Sequence, residues 1–252
     1  MSMIYIQRLG GTNRADNLVK ETEGIMKSRQ FRNRPEAGEA LAEHLDEYRD
    51  DPNAVVLGLA RGGLVVAAEI SAQLHLPLEV FISRKLRSPE DCECALGAVT
   101  ETGLTWMDES SLCVQDWLPS ELRAYLYRET ETQKSEIAHQ RRVYRNGLAL
   151  PDLSGRTIIF VDDGVSSGAT FFAAIDSLRQ LGVNRIAGAV PVASSGVIRD
   201  LHYKLDELVV LLRPESMQAI SSYYRDFPQI ADEEVAELLS AAHRFKQLGR
   251  PA

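Results

Sequence analysis

What is scarce in this sequence narrows its class first. Only three cysteines occur, Cys92, Cys94 and Cys113. That is an odd number with no disulfide framework, so they are read as free thiols. Cys92 and Cys94 form a lone C-x-C with no second ligand pair nearby, which argues against a zinc site. No apolar run approaches the ~20 residues needed to cross a bilayer, which excludes a membrane-spanning protein. The first ten residues lack the basic head, long apolar stretch and small-residue cleavage site of a secretory signal, so a cytoplasmic location is expected. Basic charge is in deficit as well. With 28 Lys and Arg against 36 Asp and Glu, the net charge of -8 argues against binding along a nucleic-acid backbone, while a few local donors can still hold a small anion. His44, His75, His139, His202 and His243 are scattered, with no partner pattern for a metal or a triad.

What is present points to one α/β domain with appendages, a length of 252 residues being ample for a full core. Residues 1–34 read as an N-terminal arm, with a short strand at Met3–Ile6; residues 35–214 read as the core, and 215–252 as a C-terminal helical segment. Ala37, Leu41, Leu45 and Tyr48 recur at helical spacing and predict a helix over Glu36–Arg49, stopped before Pro52. Val55–Leu59 is a short apolar run of the kind buried on both faces of a parallel sheet. A helix follows over Leu64–Leu74, then a strand over Leu78–Ser83. Ala95–Thr100 and Leu104–Met107 flank Glu101-Thr102-Gly103 as a β-hairpin. A long charged helix runs from Ser120 to about Tyr144, its charges read as a solvated face, with Asn146-Gly147 closing it. Strands at Thr157–Val161, Ile186–Val192 and Leu208–Leu212 alternate with helices at Phe171–Leu181 and Gly196–Tyr203, and Asp232 is expected to N-cap the last helix. That alternation predicts a parallel twisted sheet flanked by helices.

The chemistry concentrates at Ile158–Thr170. Asp162 and Asp163 follow a buried strand, and Gly164, Val165, Ser166, Ser167, Gly168, Ala169 and Thr170 form a small-residue loop before a helix. Ligands of open α/β sheets bind at that edge. Loop amides, the hydroxyls of Ser167 and Thr170 and the positive end of the helix can surround a phosphate. Adjacent acids beside an anion site make sense if they accept from vicinal sugar hydroxyls or meet a divalent ion carried by the ligand, and that combination implies a sugar phosphate. The loop is neither a Walker A sequence nor G-x-G-x-x-G.

The run Val161-Asp162-Asp163-Gly164-Val165-Ser166-Ser167-Gly168-Ala169-Thr170 resembles the 5-phosphoribosyl-1-pyrophosphate signature of type I phosphoribosyltransferases, with Ser167 standing for the first Thr of the family's T-G-x-T. From Phe31 to about Ala242 the chain is also similar to a bacterial group of phosphoribosyltransferase-domain proteins, including Arg84-Lys85, Gly97-Ala98-Val99 and Tyr224-Arg225-Asp226-Phe227. The resemblance implies the type I phosphoribosyltransferase fold, with a flexible β-hairpin loop and a small hood drawn from the arm and the C-terminal segment. It implies a magnesium-dependent exchange of pyrophosphate for a nucleobase, and a homodimer. Asp162 and Asp163 would hold the ribose diol and, indirectly, Mg2+. Ala60, Arg61, Gly62 and Gly63 match the family's pyrophosphate loop, with a cis peptide expected between Ala60 and Arg61. Arg84 and Lys85 would bind pyrophosphate, Lys85 neutralising charge as it departs, and Glu93 would be the functional member of a mobile cover over 88–98.

One departure bears on the acceptor. Enzymes for 6-oxopurines carry an acid where this chain has Ser166, which counts against a hypoxanthine or guanine enzyme. Tyr223, Tyr224 and Phe227 have the shape to stack on a planar base, although aromatics beside a terminal helix more often pack the core. Two other readings stand beside the transferase. One is a regulatory protein that binds phosphoribosyl-pyrophosphate or a nucleotide without turnover. The other is a phosphate-ester hydrolase, for which no nucleophile and base pair is visible.

Overall fold

The computed structural model describes residues 5–8, 30–89, 95–108 and 120–248. Strand β2 (Ala54–Leu59), β3 (Leu78–Phe81), β7 (Thr157–Val161), β8 (Arg185–Val192) and β9 (Glu207–Leu212) pair in parallel, in the order β9-β8-β7-β2-β3. Strand β1 (Tyr5–Arg8) closes the β9 edge antiparallel, so part of the arm belongs to the main sheet. A second sheet joins β4 (Ser83–Arg87), β5 (Ala95–Thr100) and β6 (Thr105–Met107) antiparallel; β5 and β6 are the expected hairpin, turning at Gly103. The helices are α1 (Arg34–Ala42), α2 (Gly62–Leu74), α3 (Ser120–Arg145), α4 (Ala169–Gln180), α5 (Ser195–His202) and α6 (Asp232–Leu248).

The central strands are apolar throughout because both faces are covered. Alternate residues go to opposite sides: Val56, Ile159, Ala187 and Val209 pack with α1, α2 and α6, whereas Leu57, Phe160, Ile186 and Val210 pack with α4 and α5. The strand tips therefore meet helix N-termini on both faces, which is where the loops after β2 and β7 lie.

At three places the chain departs from expectation in ways that its hydrogen bonds explain. The first helix ends at Ala42, and a 3-10 turn follows at Asp46–Tyr48. His44 N and Leu45 N bond three residues back, to Leu41 O and Ala42 O, which tightens the chain. The turn aims Tyr48, whose hydroxyl donates to buried Glu207 at 2.6 Å. The strand expected over Leu78–Ser83 breaks at Ile82, because Glu101 takes both backbone groups of that residue: its carboxylate accepts from Ile82 N at 2.8 Å and its amide donates to Ile82 O at 3.0 Å. Beyond this break the chain joins the second sheet, and Arg84 and Lys85 lie on β4. Finally, Asp232 opens α6 from within its first turn, while Glu234 accepts from Ala231 N at 2.7 Å. No helix among the described residues is long and apolar enough to cross a membrane.

Candidate active site

At the tip of β7, Asp162 is half-buried and Asp163 buried. Asp162 Oδ1 accepts from Asp163 N at 2.8 Å. Asp163 Oδ2 accepts from Arg34 Nε at 2.7 Å, in an ion pair with side-chain exposures of only 12% and 7%. Arg34 in turn lies over the Phe227 ring, 3.6 Å from its centroid, and donates to Pro228 O. Tyr224 completes the support, its hydroxyl donating to Asp163 O at 2.7 Å. Gly62 is required beside this carboxylate: a Cβ there would sit 1.9 Å from Asp163 Oδ2.

Burial and the neighbouring charge of Asp163 push the Asp162 carboxyl well above the ordinary carboxylate range, with Lys85 pulling the other way. Burial also raises Asp163, and Arg34 opposes that rise. A buried guanidinium stabilises charge on the carboxylate it touches, so Arg34 favours the ionised form of Asp163.

The loop after β7 is shaped by packing beneath it. Val165 N donates to Val192 O at 2.9 Å, and Ser194 Oγ donates to Ser166 O at 3.3 Å. Gly168 has φ +79, open to glycine without cost. Helix α4 starts at Ala169, two residues before the expected Phe171, so Ala169 and Thr170 fall in its first turn, where amides have no intrahelical acceptor. Ser167 is exposed, and Ser166 and Thr170 are half-buried.

The opposite wall comes from the loop after β2 and from β4. The peptide between Ala60 and Arg61 is cis, as expected. Arg61 Nη1 lies 3.8 Å from Asp232 Oδ1. Arg84 Nε donates to Gln133 Oε1 at 2.5 Å, while Lys85 and Arg87 are exposed. Together these segments enclose a pocket of ≈ 310 Å³. Its walls bring together Ala60, Arg61, Gly62, Arg84, Lys85, Asp162, Asp163 and Thr170, with Leu59, Ser83, Arg87, Gln133 and Gln140 added. Gly63 and Gly164–Ala169 flank that space without lining it. Glu93 lies outside the described residues, as do all three cysteines.

Several of these participants escaped sequence reasoning. Arg34 was placed at the end of an arm, yet a cation in the first turn of a helix is unfavourable there and signals a partner elsewhere. In α3, Gln133, Ile137, Gln140 and Tyr144 recur every three to four residues as an inward stripe, joined at the end of the helix by buried Arg145. Tyr224 is core, packed between Phe31 and Phe227 with ring centroids 5.5 and 4.9 Å away, and Phe227 is taken up by Arg34. Tyr223 remains half-buried. Among the described residues no group of three or more His, Cys, Asp or Glu could cage a metal. Asp162 and Asp163, at one strand tip, could reach an ion whose remaining ligands are not protein side chains.

Comparison with known proteins shows the family. A family model for the phosphoribosyl transferase domain matches residues 30–210. Proteins from two strains of Mycobacterium tuberculosis, both carrying a provisional phosphoribosyl transferase name, are 35% identical over 222 residues, 87% of this chain. The chain spans about half, 48%, of the length of those curated relatives. The crystal structure of TT1426 from Thermus thermophilus is 37% identical, covers 83% of this chain and 97% of its own, and superimposes with a TM-score of 0.67.

Proposed function

Because the chain belongs to the phosphoribosyl transferase domain family, we propose that it exchanges the pyrophosphate of 5-phosphoribosyl-1-pyrophosphate for a nucleobase. The observation that carries this reading is the meeting, in one pocket of ≈ 310 Å³, of an acidic strand tip, a basic wall and the first turn of α4. A cationic lining suits pyrophosphate, and the acids suit a diol. In the reaction the C1–O bond to pyrophosphate breaks with its electron pair going to the departing oxygen, a base nitrogen bonds to C1, and the proton of that nitrogen passes to solvent or to the released pyrophosphate.

Each residue has a task in this scheme. Amides of Ser166–Thr170 and the hydroxyls of Ser167 and Thr170 would hold the 5-phosphate at the positive end of α4. Asp162, with the oxygen of Asp163 that Arg34 does not occupy, would accept from the ribose hydroxyls and offset positive charge developing on the ring. Arg61 and Arg84 would grip pyrophosphate, and Lys85 would neutralise it as it leaves. Asp162 and Asp163 would hold magnesium indirectly, and the bound ion would supply further neutralising charge. Residues of the arm and of 215–231 would cover the acceptor base, Glu93 would belong to a mobile cover, and the enzyme would work in the cytoplasm as a homodimer.

Calorimetric titration with phosphoribosyl-pyrophosphate, with and without magnesium, followed by a nucleobase panel read by pyrophosphate release, tests this reading. Magnesium-dependent binding and release with at least one base are expected. Binding with no release from any base would overturn the transferase and leave a regulatory ligand-binding protein.

A further inference from the structure

We infer that Asp232 of α6 is a positioning residue for Arg61 on the pyrophosphate side of the pocket, held in that role by Tyr144 and Gln140 of α3. The inference rests on the transferase reading of the site. It gives the C-terminal segment, expected as a hood over the base, a task at the opposite end of the substrate.

Elements remote in sequence converge on one atom. Asp232 Oδ1 accepts from the Tyr144 hydroxyl and from Gln140 Nε2 at 3.4 Å, while Gln140 Nε2 also donates to the Tyr144 oxygen at 3.0 Å. Gln140 and Tyr144 are 4% and 6% exposed, so the two donors are held by packing and cannot wander. In the first turn of a helix, an aspartate ordinarily turns toward its own amides. Here Glu234 serves the Ala231 amide, which leaves Asp232 to face inward. Arg61 precedes α2, and its guanidinium, which only donates, can make no bond to the unpaired amides of that helix. Its aim comes from Asp232 Oδ1, 3.8 Å from Arg61 Nη1.

That separation is too long for a hydrogen bond. The carboxylate therefore sets the direction of the guanidinium by charge while leaving its N–H groups for an incoming anion. An arginine already aimed at its ligand loses less rotamer freedom on binding, which raises affinity with no new contact. The same carboxylate acting as a competitor for Arg61 would have the opposite effect, so the sign of one measurement separates the two.

The test uses the full chain, titrated calorimetrically with magnesium pyrophosphate and, separately, with ribose 5-phosphate. Asp232→Asn is expected to weaken pyrophosphate by about tenfold and to leave ribose 5-phosphate within about twofold. Tyr144→Phe, which removes only a hydroxyl, is expected to weaken pyrophosphate by about threefold and decides the matter should Asp232→Asn not fold. In an Arg61→Ala background, Asp232→Asn should have no further effect, since coupled residues lose their coupling when one is removed. Unchanged or tighter pyrophosphate binding by Asp232→Asn, or equal losses for both ligands, overturns the inference alone. A wild-type protein that binds neither ligand overturns the transferase reading and this inference with it.

Discussion

Asp163 and Lys85 face the same pocket from opposite walls, and their surroundings could hardly differ more. Asp163 is buried, and Arg34, Tyr224 and Gly62 surround it, with a carboxylate that touches guanidinium at 2.7 Å. Lys85 stands exposed on β4 of the second sheet beside exposed Arg87, whereas their neighbour Arg84 donates to Gln133. A desolvated charge needs a full shell of partners to be tolerated, whereas a solvated one can await its ligand. The acidic wall is thus part of the fold, and the basic wall is an addition to it. Changes on the first wall should cost stability, and changes on the second should cost binding and rate.

The largest effect should come from Arg34→Leu, which strands a buried carboxylate; a loss of about 3–5 kcal/mol is expected in urea denaturation, with the slope of the transition unchanged. Lys85→Ala should sharpen the contrast, lowering turnover by about a hundredfold once an acceptor base is known. Its unfolding midpoint should stay within about 0.5 kcal/mol of the wild type. If instead Lys85→Ala unfolds the protein and Arg34→Leu does not, the division between the walls fails. Gly62→Ala is next: the new methyl meets an Asp163 oxygen already fixed by Arg34, so a destabilisation of about 1–3 kcal/mol is expected from thermal unfolding.

The smallest effect is on pH dependence. Asp162 has its carboxyl raised in the folded state above the ordinary value of 3.8, so the folded protein binds that proton more tightly than the unfolded chain. Its contribution to stability is then fully present below pH 3.8 and lost as pH rises through the folded pKa. Between those limits Asp162→Asn should remove up to about 1.4 kcal/mol per pH unit from the slope of stability against pH. A slope identical in wild type and variant would show that Asp162 titrates as it does in the unfolded chain.

Much of this site was readable before any coordinates. The apolar run Thr157–Val161, the two acids and the small-residue loop are contiguous, so their order along the chain is also their order in space. The hairpin at Ala95–Met107 is legible for the same reason, since hairpins close on their own residues, whereas the cis peptide at Ala60–Arg61 follows only from the family resemblance. Arg34 was not legible as a partner of Asp163, because 129 residues separate them and an ion pair leaves no periodic trace. Gln133 and Gln140 hid in a helix whose many charges masked its narrow inward stripe. Asp232 was misread as a cap because a favourable local rule was available, and a tertiary contact displaced it.

By itself the sequence determined the alternation of buried strands with helices and the chemistry of the loop after β7, since both depend on neighbours a few residues away. Only the tertiary structure decided which cation neutralises Asp163, where β3 ends and β4 begins, and which helix reaches Arg61. Those outcomes depend on side chains meeting across distant stretches of chain, and such meetings exist only once the sheet and its covering helices are packed.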